Sequence, residues 1–353
     1  MRVIFLSWAF LCVGASWGAV VEATPSTWRE KLRLLTDGDV LKLAPGDYPG
    51  GQHVQALKDL TVEALDPQNP PHIRGGSTGL QFSRCHGLTL RHLKISGQAT
   101  NGLNLDDGGR LDQRTVGITL EDLEVSDIGP QGNHDAIKGS GLEGLTIRRC
   151  RLSGWGGQGV DLVGCHRSLI QACEFIGKPG FSATAAVQFK GGCRGIVVEK
   201  CWFQQAAERA LNLGGSTGLP YFRPADAPYE AADLTVRDCV IEGSLCAAAF
   251  VGVDGALFTG NTVLYPQKWI FRILQESTEP RFVPCRNVRI TNNRIIFKRS
   301  AVSVDINIGP GTAPETFVFE KNAWFAEDQP ARSRPTLPVP ETEGRYGADP
   351  RGA

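Results

Sequence analysis

Residues 133–140 read NHDAIKGS, placing His134, Asp135 and Lys138 within five positions among mostly small neighbours. Such a trio can supply an acid, an oxygen ligand and an amine base. The bland alternative is the polar end of an ordinary strand. The stretch is one of a set. Segments of the form small, apolar, X, apolar recur as GLQF at 79, GLNL at 102, AIKG at 136, GVDL at 159, AVQF at 186 and ALNL at 210. Weaker copies are AFVG at 249 and AVSV at 301.

The outward residue X runs Gln81, Asn104, Lys138, Asp161, Gln188, Asn212. Two positions on, the series is Ser83, Asp106, Ser140, Val163, Lys190, Gly214. Just before the strands come Asn101, Asp135, Gln158, Ala185 and Arg209. Amides and charges on rigid strands offer fixed donors and acceptors, which suits a sugar-binding surface. The competing reading is a solvated face with an ordinary salt bridge. Trp155, Tyr221 and Phe222 lie in or near the adjoining loops, where aromatic rings either stack on sugars or cover the side of the fold.

These segments need a scaffold, and a second repeat supplies it. GLTLRHLKIS at 87 returns as GITLEDLEVS at 117 and GLTIRRCRLS at 144, then as SLIQACEFIG, GIVVEKCWFQ and DLTVRDCVIE. Degenerate copies follow as ALFTGNTVLY, NVRITNNRII and TFVFEKNAWF. Apolar and polar residues alternate, the period of a strand. The seventh position reads Leu93, Leu123, Cys150, Cys173, Cys201, Cys239, Asn261, Asn293, Asn322, at steps of 22 to 38 residues. Repeats of that length without helical periodicity predict an all-β solenoid, a right-handed parallel β-helix of about nine to ten rungs. Equivalent residues then stack about 4.8 Å apart. Stacked Asn residues form hydrogen-bonded ladders, and stacked Cys act as small buried hydrophobes. Cys85, Cys165, Cys193 and Cys285 form a second set, in which a Cys165–Cys193 disulfide is the alternative to free thiols.

Composition agrees. The chain has 353 residues, 37 basic and 37 acidic, with 42 Gly and a single Met. Balanced charge gives no pull toward nucleic acid, and abundant Gly favours tight turns. Residues 1–23 carry an early cation, an apolar run and then small residues, the pattern of a signal peptide cleaved after Ala19 or Ala23. No other apolar run approaches a membrane span. A secreted, periplasmic or extracellular monomer is expected. Residues 24–327 form the solenoid. TPSTWREKLRLL, from Thr24, reads as a capping helix started by Thr24 or Ser26, with Trp28, Leu32 and Leu35 on one face. Residues 328–353 are a Pro/Arg-rich tail that wraps the solenoid or stays extended rather than adding a rung.

The helix, the following GDVLKLAPGDYPGG and the rung pattern resemble the right-handed parallel β-helix proteins, many of them secreted polysaccharide lyases. The region from Asn133 to Leu162 is similar to the calcium-site region of the family 9 pectate lyases. That resemblance implies Asp135 and Asp161 as Ca²⁺ ligands. Gly157 and Gln158 stand where the family carries paired aspartates, and Asn212 stands where it has its catalytic lysine. The Lys–Arg motif of family 6 lyases has no copy here. YGADPR near the C-terminus only partly matches an epimerase motif.

The resemblance implies β-elimination on a uronate-containing polysaccharide. That reaction needs a base for the C5 proton, a cation for the carboxylate and an acid for the leaving oxygen. Lys190 and Lys138 are the candidate bases. An aspartate beside Lys138 raises its pKa, which favours Lys190. Arg209, Asn212 or Ca²⁺ at Asp135 and Asp161 would bind the carboxylate, and His134 or His166 would be the acid. Asn104, Asp106, Asp161, Gln188, Asn212, Trp155 and Tyr221 are the expected substrate contacts. Alternatives are a glycoside hydrolase using Asp106, Asp107, Asp135 and Asp161, a C5-epimerase, and a non-catalytic carbohydrate-binding or structural solenoid.

Overall fold

The computed structural model describes residues 18–352. Each repeat splits its turn of chain among three parallel sheets. Among the described residues these have thirteen, twelve and ten strands, and every named pairing is parallel. The expected solenoid is thus present, with ten strands in the shortest of these three sheets.

The motif read as one alternating strand is in fact two. Thr89–Arg91 belongs to the thirteen-stranded sheet and Lys94–Ser96 to the twelve-stranded one. The corner between them is a left-handed residue, His92 at φ 55°. Equivalent corners fall at Asp122, Arg149, Ala172, Lys200, Asp238, Gly260, Asn292 and Lys321. A single left-handed residue turns the chain sharply without ending the in-register stack.

The seventh-position column lies just inside this corner, where the bend leaves a backbone N–H without a strand partner. The Asn residues satisfy it. Cys239 N–H donates to Asn261 Oδ1 (3.0 Å), Asn261 N–H to Asn293 Oδ1 (2.9 Å) and Asn293 N–H to Asn322 Oδ1 (3.0 Å). The Cys residues take the same place with weaker contacts, as in Cys173 N–H to Cys201 Sγ at 3.5 Å. All nine described cysteines are free and buried, so Cys165 and Cys193 are not bridged. Cys246, outside both expected sets, opens the strand Cys246–Val251.

The ends are closed as solenoids require. At the start, the helix Trp28–Leu34 follows an N-cap at Thr27 rather than at Thr24 or Ser26. Buried Trp28 meets Tyr48 edge-on at 5.4 Å and donates Nε1–H to the Pro49 carbonyl. Val20–Ala23 already pairs with Val40–Leu43, so the solenoid begins before Thr24. Cleavage after Ala19 leaves this strand intact, whereas cleavage after Ala23 removes it. Most of the expected signal segment lies outside the described residues. At the other end the tail does add a short strand, Arg345–Tyr346, beside Ala323–Ala326. Glu341 terminates the Asn ladder by accepting from Asn322 Nδ2, Trp324 Nε1 and Tyr346 OH at 2.8, 2.8 and 2.7 Å.

Candidate active-site groove

The ten-stranded sheet carries the polar column. Strand pairing places Gln81 beside Asn104, then Lys138, Asp161, Gln188 and Asn212 in register, as expected. Beyond Asn212 the order differs. Ala249 follows, then Arg272 of Trp269–Leu274 and Asn307 of Ile306–Ile308. The expected copies at 249 and 301 were therefore out of phase, and the Trp269–Leu274 strand was missed. The second column also shifts, because an irregularity after Gln188 sets Phe189, not Lys190, beside Gly214.

The centre of the groove is a charge cluster. Asp135 and Asp161 are both 0% exposed. Lys138 Nζ donates at 2.8 Å to Asp135 Oδ2 and at 2.8 Å to Asp161 Oδ2. Asp135 Oδ1 accepts the Gln158 backbone N–H at 2.9 Å. Asp161 Oδ1 accepts no hydrogen bond among the described residues and faces Lys190 Nζ at 3.5 Å. Burial alone lowers the Lys138 pKa, but Asp161 and Asp135 outweigh it and the pKa is raised. Burial and the neighbouring Asp161 raise Asp135, with Lys138 opposing. Lys138 is thus held as an ammonium.

A cavity of about 450 Å³ opens over this cluster, lined by Lys138, Asp161, Lys190, Thr217, Tyr221 and Arg223 among others. Its wall is the insertion 215–230, held down at two buried points. Arg223 grips Asp107 with Nε to Oδ2 at 2.5 Å and Nη2 to Oδ1 at 3.2 Å. Fully buried Glu230 accepts from Gly191 N–H, Thr217 N–H, Thr217 Oγ1 and Ser277 Oγ. Tyr221, 62% exposed, stands on this wall. Sequence reading placed Tyr221 near the site but missed Arg223 and Glu230, whose partners are up to 116 residues away in sequence.

Other expected residues divide. Trp155 is not a substrate contact: it is fully buried, packs edge-on against Phe175 and donates Nε1–H to the Ala185 carbonyl. Its position at a strand end allowed either reading, and the interior claims it. Phe222 is likewise buried, against Phe282. His134 packs beside Gly129 and does not line the cavity, so it is not placed to be the acid. His166 Nε2 lies 2.9 Å from the Gly192 carbonyl, committed to holding a turn. Asn104 accepts from Asn101 Nδ2. Gln188 accepts from Lys190 Nζ at 3.4 Å, and Arg209 reaches Asn212 Oδ1 at 3.5 Å. Asp106 lies farther up the groove in a second hollow of about 380 Å³, with His53, Gln81 and Ser83. A larger cleft of about 540 Å³, lined by Phe181, Glu208 and Leu245, contains none of the expected site residues.

The aspartates do not fit the implied Ca²⁺ site. Both Oδ2 atoms already meet the Lys138 ammonium, and Ca²⁺ needs six or more oxygen ligands. No described group of three or more His, Cys, Asp or Glu residues is arranged to hold a metal. A side chain at Gly157 has no room either: a Cβ there would lie 2.7 Å from Asp135 Oδ1 and 2.8 Å from His134 N.

Comparison with solved structures gives the fold a context. An alginate lyase from Paenibacillus sp. str. FPU-7 matches at TM-score 0.53 and 18% identity, over 83% of this chain and 96% of that one. The A-module of a mannuronan C-5 epimerase from Azotobacter vinelandii matches at 0.58 and 12%, over 94% and 90%. The Dettilon tailspike protein matches at 0.60 and 12%, over 92% and 68%. At these identities the likeness is one of fold, which hosts several activities. A search of curated proteins returns no match by sequence. The model for the right-handed β-helix region matches residues 78–263, more than half of the chain, and the three-sheet coil agrees with it: the chain belongs to the right-handed β-helix family.

Proposed function

We propose that this chain is an exported polysaccharide lyase that cleaves a uronate-containing glycan by β-elimination. The carrying observation is the walled cavity over the groove sheet, which Lys190 and Tyr221 line together. In the reaction Lys190 Nζ takes the C5 proton. The electron pair forms the C4–C5 double bond, the C4–oxygen bond breaks, and the leaving oxygen takes a proton from the Tyr221 hydroxyl. Arg209, which leans over Asn212, receives the uronate carboxylate and stabilises the charge that develops on it. Lys138 holds Asp135 and Asp161 in place and transfers no proton.

The hydrolase reading loses support because its carboxylates are engaged. Asp107 is tied to Arg223, and Asp135 and Asp161 share Lys138. The same internal pairing favours a non-catalytic sugar-binding solenoid as the second reading. Incubation with pectin, alginate and glycosaminoglycans separates the two. Ultraviolet absorbance of an unsaturated uronate supports the lyase. Binding without that absorbance on any substrate replaces it with the binding module.

A further inference from the structure

Two arginines lie farther along the groove sheet without carboxylate partners. Arg209 starts the strand Arg209–Gly214 and leans over Asn212, whereas Arg272 continues the outward column two rungs on, about 10 Å away along the stack. Between them the column carries only Ala249, which is fully buried. Neither guanidinium forms an ion pair among the described residues, unlike the arginines at 148, 194, 237 and 286 in the thirteen-stranded sheet. Arg272 is held for use from outside. Its Nε donates to Asn307 Oδ1 at 2.9 Å, and the guanidinium stacks 4.4 Å from the Trp269 ring centre. Burial, then the charge of Arg209, lowers the Arg272 pKa, so the two cations share one field. The nearby Glu208 and Glu276 are exposed and bond to neither.

We propose that Arg272 forms a carboxylate-binding subsite for a second uronate of the same chain, beyond the one that Arg209 receives and three rungs from the Gln188–Lys190 strand. This deepens the proposed function and rests on its uronate substrate, but not on catalysis. A planar guanidinium fixed by stacking and an amide binds a carboxylate bidentately and loses little freedom in doing so. Acidic oligosaccharides long enough to span both places therefore bind more tightly than short ones, and neutral ones gain nothing.

Calorimetry of the full chain with oligogalacturonate and oligomannuronate hexamers, their dimers and their methyl esters tests this. Arg272→Ala is expected to weaken acidic hexamer binding about tenfold, the value of one charge-assisted contact, with dimers and esters unchanged. Arg272→Lys recovers part of the loss, and unfolding midpoints confirm that both variants fold. Equal hexamer affinity in wild type and Arg272→Ala overturns the subsite, as does an equal loss for the esters or no acidic binding by wild type. If binding falls as expected while no substrate yields unsaturated product, the subsite stands and the lyase reading falls.

Discussion

Lys138 Nζ lies 2.8 Å from Asp161 Oδ2 on the next rung, and its other contact, to Asp135 Oδ2, is as short. One ammonium thereby neutralises much of a buried two-carboxylate pair. Removing it leaves two desolvated charges together. Lys138→Met is expected to destabilise by about 3–5 kcal/mol, and adding Asp161→Asn to restore much of that. Denaturant unfolding of the single and double variants reads it; a near-neutral single variant would show the cluster to be solvated.

The same pair sets a pH dependence. The folded Lys138 pKa is raised, so its contribution is complete below the ordinary lysine value of about 10.4 and is lost as pH rises through the folded value. Asp135 works the other way. Its raised pKa means the folded state binds the extra proton, so its cost eases as pH falls toward the ordinary carboxylate range. The stability difference between wild type and Lys138→Met should stay level through neutral pH and shrink above about pH 10. A difference that instead shrinks near neutrality contradicts the raised pKa.

Lys190 and Lys138 should separate kinetically. Lys190→Ala is expected to lower elimination by about 10²–10⁴-fold while oligosaccharide affinity changes little, as for a lost general base. Single-turnover product absorbance with parallel calorimetry measures both. Full activity in Lys190→Ala removes it from the mechanism.

Asp107 and Arg223 clamp the wall of the cavity. Arg223→Ala leaves Asp107 buried and unpaired, which costs about 3–5 kcal/mol locally. The 215–230 loop should then be cut by protease faster than in wild type, and KM should rise as Tyr221 loses its position. Unchanged proteolysis would mean that Glu230 alone secures the loop.

The nine described cysteines are free and buried, and burial pushes Cys246 and Cys285 up to about 12. Native protein should not react with a thiol reagent at neutral pH, and denatured protein should expose all of these thiols without prior reduction. Fewer thiols in denaturant would reveal a disulfide.

The repeated motifs were enough to read the solenoid and the order from Gln81 to Asn212, because parallel rungs stack equivalent residues in register. Legibility failed where local pattern no longer measures position. Degenerate copies hid Ala249 and Arg272, and Trp155 looked the same in sequence whether it faced sugar or core. What only the tertiary structure decided was how the charges are spent. Sequence put Asp135, Lys138 and Asp161 in one neighbourhood, but an ammonium shared by two buried carboxylates is a matter of ångströms and desolvation. The Asp107–Arg223 clamp spans 116 residues, and no local propensity carries information over that distance. Spacing in the chain determined the coil, and three-dimensional contact set the Lys138 ammonium between two buried carboxylates.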